Sequence, residues 1–140
     1  MNPKIFAAFW LLLPCHSYGG GIPHSEESVG MIASEFAELV DLLHQPSESG
    51  LPTTEQLVRT LDGVEAGPSN HLIWKGREFD YQATEGAEFT IKVYGVERTY
   101  SIFSIFGCTN WIEYSSSKRP QTHKVIHEVG GWSFVEACRP

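Results

Sequence analysis

Basic residues are scarce in this 140-residue chain: 10 lysines and arginines stand against 17 aspartates and glutamates, for a formal net charge of −7. Nucleic-acid phosphates require a basic footprint, and so does an anionic membrane surface. Neither is an expected partner. Long apolar runs are missing too. The longest spans residues 5–13, whereas a helix needs about 20 apolar residues to cross a bilayer. There is no internal repeat, no low-complexity tract and no glycine-rich phosphate loop. Gly19-Gly20-Gly21 closes the first segment, and Gly130-Gly131 reads as a hairpin turn. No motif in the chain fixes a reaction.

What the first residues do contain is the layout of an export signal over residues 1–19. Lys4 supplies the charged start, residues 5–13 the apolar run, and Pro14 ends that run before small and polar residues. Cleavage after Gly19 places Ser17 three positions before the cut; cleavage after Ser17 is the other choice. A buried N-terminal helix is a second reading. A third is a lipid anchor at Leu12-Leu13-Pro14-Cys15, although proline before the cysteine suits lipoprotein processing poorly. Cleavage removes Cys15 and lipidation blocks it, so either outcome leaves Cys108 and Cys138 as an even pair. In an oxidising compartment such a pair is most simply a disulfide. Closing a loop of this size stabilises by roughly 3 to 4 kcal/mol in the chain-entropy model. The expected location is secreted or periplasmic, with no membrane span in the mature chain.

Behind the signal, residues 20–24 read as a flexible lead-in and residues 25–140 as one α+β domain with a modest core. Charge is uneven along it. Residues 21–65 hold nine acids and one base, Arg59, while residues 66–140 hold eight of each. The helical half is therefore the acidic half, which suits either a solvated face or a basic partner. Ser25 can cap a helix whose first turn carries Glu26 and Glu27, against the helix dipole. Val29, Ile32, Phe36, Leu39 and Leu43 follow at spacings of three and four, so they form one stripe facing the core. Pro46 stops the helix by Gln45. Thr53-Thr54-Glu55-Gln56 offers a capping box for a short helix with Leu57, Val58 and Leu61 inward, ended by Gly63.

From His71 the texture turns to strands separated by turn residues. Strands are expected over residues 72–75, 77–82, 88–94, 98–106, 109–115, 124–129 and 132–137, as an antiparallel meander with a helix packed on it. Residues 101–106 are apolar on both faces and are expected at the sheet's centre.

Candidate chemistry is thin. His123 and His127 have a metal-like spacing, but on a strand they stand about 13 Å apart, too far for one ion. Glu113, Glu128 and Glu136 lie on strands that can be neighbours, yet nothing pairs them with a nucleophile. Ser115-Ser116-Ser117 beside Lys118 and Arg119 reads as a hairpin tip. No residue is assigned a catalytic role, and no metal or cofactor is expected. Trp111, Tyr114 and Trp132, close to the disulfide, are the candidate binding patch together with Lys118 and Arg119; burial in a core is the competing account of the rings.

Leu51-Pro52-Thr53-Thr54-Glu55-Gln56-Leu57 with Leu61, then Phe79-Asp80-Tyr81 and residues 86–95, resemble the globular region of major pseudopilins of bacterial type II secretion. The resemblance covers about residues 35–95. It implies a helix laid on a small antiparallel sheet and a role in assembling a secretion or pilus fibre. Pseudopilins also carry a prepilin cleavage site and an apolar helix of about 20 residues, which the run at residues 5–13 does not provide. A soluble pilin-like domain is what remains. The function expected is an exported protein-binding or assembly module, possessing a protein partner; a small secreted hydrolytic enzyme or toxin and an inhibitor of a partner enzyme are the alternatives.

Overall fold

The computed structural model describes residues 21–45, 48–67, 70–84, 87–97, 107–117 and 123–138. They form three helices and a seven-stranded antiparallel sheet. Ser25 opens the first helix as expected, its hydroxyl accepting from the Ser28 amide at 3.1 Å. The single helix read from the stripe is two, α1 (Glu26–Glu35) and α2 (Ala37–His44). Phe36 between them has φ −97° and ψ 5°. Hydrogen bonds continue across it, from the Phe36 amide to Ile32 and from the Val40 amide to Phe36. The stripe is fully inward, with Val29, Ile32, Phe36 and Leu39 at 0 % exposure.

Helix α3 (Thr54–Thr60) carries the complete capping box: Thr53 Oγ1 accepts from the Gln56 amide and Gln56 Oε1 from the Thr53 amide. Leu57 and Leu61 are buried, but Val58 is exposed rather than inward. One residue along a helix is a rotation of about 100°, which carries Val58 off the face that Leu57 and Leu61 share.

The strands are β1 (Glu65–Ala66), β2 (Leu72–Trp74), β3 (Arg77–Ala83), β4 (Phe89–Val93), β5 (Cys108–Ser115), β6 (Lys124–Val129) and β7 (Trp132–Cys138). Their order is β1-β2-β3-β4-β5-β7-β6. The meander holds as far as β5, and then β7 lies inside and β6 at the edge. Burial accounts for the exchange: β7 contributes Trp132, Phe134 and Val135 to the interior, whereas no residue of β6 is fully buried. The two-residue β1 was not expected, and the strand read over residues 98–106 lies outside the described residues.

The core fills the space between the helices and one sheet face, with Phe79, Phe89, Ile91, Val93, Ile112 and Phe134 beneath Phe36 and Leu39. The lead-in joins it. Ile22 is 2 % exposed, its amide bonds Gly95 O at 2.7 Å, and its carbonyl accepts from the Glu97 amide at 3.0 Å. Gly21 has φ +81°, and a Cβ there would stand 2.5 Å from Gly95 O. Gly21 and Ile22 are therefore packed against residues 95–97. Cys108 and Cys138 face each other in register and are joined as a disulfide.

Candidate functional site

Strand parity decides what becomes of the aromatic patch. Trp111 and Tyr114 are three residues apart on β5, so they point to opposite faces. Tyr114 pairs with Trp132 on the helix side, ring centroids 5.4 Å apart. Trp132 is 3 % exposed and reaches Phe36. Tyr114 is half-buried, its hydroxyl 2.6 Å from His44 Nε2, and burial followed by the charge of Asp41 holds its phenol above the usual range. Trp111 faces the other way at 7 % exposure, with Lys92 Nζ 5.3 Å above its ring and His123 against it edge-on. The three rings are thus not one exposed patch: two are buried, and they divide between the faces. Lys118 and Arg119 lie outside the described residues.

The two histidines separate as well. A bulge between Val125 and His127 reverses the parity of β6. His123 accordingly meets Trp111 on one face while His127 meets Phe134 on the other. Ser116 Oγ accepts from the Phe89 amide at 2.7 Å and ties the β4 and β5 ends together. Cys108, Cys138 and Glu136 bring ligand-type atoms within 4.8 Å of one another. Both sulfurs are committed to the disulfide, and a disulfide sulfur is no thiolate ligand.

A constellation that sequence reading missed stands at the β2–β3 end. His71 Nδ1 lies 2.5 Å from Glu78 Oε1, its Nε2 lies 3.4 Å from Asp80, and its ring stacks on Tyr94 at 4.7 Å. Tyr94 donates to Asp80 Oδ2 at 2.7 Å. Burial first, then the bond to Asp80 and the charges of Asp80, Glu78 and Glu113, hold its phenol far above the usual range. Glu78 and Asp80 alternate on β3, which signals a shared face; their meeting with His71 needs the hairpin register. The two carboxylates occupy opposite nitrogens of the ring, so they clamp it in place and leave no single point where three ligands converge.

The helix layer carries a concave feature built from described residues. An open groove of about 630 Å³ runs along the outer side of α1 and α2 where they meet the end of α3. Half-buried Leu42 and buried Leu61 give it an apolar floor, and the exposed Glu38 and Asp41 line it with acid. Among the described residues no cation pairs with either carboxylate. The outer polar positions of α2 supply the acids, and the position of α3 supplies the second wall.

Compared with known protein families, curated proteins and solved structures, the chain matches none. Its site is read from its own geometry. No helix among the described residues is long and apolar enough to cross a membrane.

Proposed function

We propose that this chain is an exported protein-binding module that works through the outer side of its helix layer, in the manner of a pilin-like assembly domain. The observation that carries the reading is the groove between α2 and α3, which sets an apolar floor beside two carboxylates that no cation pairs with among the described residues. Such a surface recruits through burial of apolar area and selects through charge. The disulfide supports the exported half of the reading, since cross-links of this kind persist in oxidising compartments. The resemblance of residues 35–95 to pseudopilins supplies the assembly role, and that stretch includes the α2 and α3 residues that line the groove.

The test is photo-crosslinking in the producing cell. A benzophenone amino acid placed at Ala37, which lines the groove and is exposed, should yield an adduct with one envelope or secreted protein. The same group at Glu128, exposed on β6, should not. Adducts at Glu128 and none at Ala37 would move the working surface off the helices.

A further inference from the structure

Resting on that reading, we infer that the groove's partner is a polypeptide segment bearing two basic side chains about 6 Å apart, with an apolar residue between them. The length of the groove sets the size of the segment. From Ser34 to Gln45, which both line it, the helix pair rises about 16 Å at 1.5 Å per residue. That span takes about five residues of extended chain.

The acids set its charge pattern. Glu38 and Asp41 are three apart on α2, so they are neighbours on one helix face with Cβ atoms about 5 to 6 Å apart. On an extended segment, alternate residues point to the same side at about 6.6 Å. A lysine or arginine at each of two alternate positions therefore reaches both carboxylates together. The intervening residue points to the opposite side, toward Leu61 at the end of α3, while the backbone passes over Leu42. The wider field agrees, because residues 21–65 hold nine acids against Arg59 alone. Attraction of a basic segment is strongest on this half of the molecule.

The probe is the blocked pentapeptide Ala-Arg-Leu-Arg-Ala, titrated into the disulfide-bonded protein and followed by amide chemical shifts, with Ala-Gln-Leu-Gln-Ala as the neutral control. Saturable shifts are expected at Ala37, Asp41, Leu42 and Leu61, with none for the control peptide. Exposed ion pairs of ordinary strength predict that Glu38→Gln with Asp41→Asn weakens binding roughly three- to tenfold. Glu27→Gln with Glu128→Gln removes the same charge elsewhere and should leave the affinity unchanged. Equal weakening by both double variants reduces the effect to net charge and overturns the inference, as do shifts centred outside the groove or no binding at all. The two readings fail separately: an adduct at Ala37 with no peptide binding retains the binding surface and discards this partner, while loss of both discards the surface.

Discussion

Tyr81 shows how a single side chain joins the core to solution conditions. It alternates with Phe79 on β3, so its ring enters the core, while its hydroxyl donates to Pro52 O at 2.8 Å. Burial pushes its phenol up to about 12 from an ordinary 10. The folded state therefore holds the proton more tightly than the unfolded state. The stability linked to this group is complete below pH 10 and is lost as pH rises through about 12. Titrated by phenolate absorbance, this tyrosine should ionise late, and the urea midpoint should fall between those limits. Tyr81→Phe should remove part of that fall. A variant with the same alkaline loss as the parent would place the titration elsewhere, with Tyr94 the next group to test.

At the level of elements, Phe36 is the largest of the stripe residues that fasten the helix layer to the sheet. Phe36 stands at the junction of α1 and α2 and packs edge-on against Trp74 and Phe79, 5.5 and 5.2 Å away. Its replacement by alanine should cost about 3 to 5 kcal/mol, read from urea unfolding; a change near zero would mean that the helices are held by other contacts. The elements themselves were legible where the signal is local. Ser25, the Thr53 to Gln56 box and the turn residues at Gly76 and Gly130-Gly131 all act within a few positions of where they stand in sequence. The break at Phe36 has no such signal, because its non-helical backbone accompanies contacts with β2, β3 and β7. The bulge in β6 is equally silent in sequence, and it alone sends His123 and His127 to opposite faces. The face assigned to Trp111 and Tyr114 was available from their odd spacing. The groove was legible only as its acids, since its other wall depends on where α3 packs.

At the scale of the whole molecule, the last strand of the chain lies inside the sheet, between β5 and β6. β7 pairs with β5 over seven register positions, from Tyr114↔Trp132 to Cys108↔Cys138. These partners are up to 30 residues apart in sequence, and the disulfide closes that longest separation. Sequence parity pointed to the bond, but nothing local indicated that β7 would displace β6 from the centre. In the chain-entropy model a loop of this length is worth about 3 to 4 kcal/mol, acting on the unfolded chain. Because Cys108 and Cys138 already face each other across paired strands, the bond holds the register that buries Trp132 and Phe134 under the helices. Reduction should accordingly lower the unfolding free energy by about that amount while leaving the folded amide spectrum close to that of the oxidised protein. The Cys108→Ser, Cys138→Ser double variant should match the reduced protein. Intact-mass measurement on the protein recovered from its native compartment supplies the decisive control: the oxidised chain gains about 2 Da on reduction, the mass of two protons with their electrons. A chain isolated with both thiols free would remove the covalent clamp and, with it, the argument from the disulfide to an oxidising compartment.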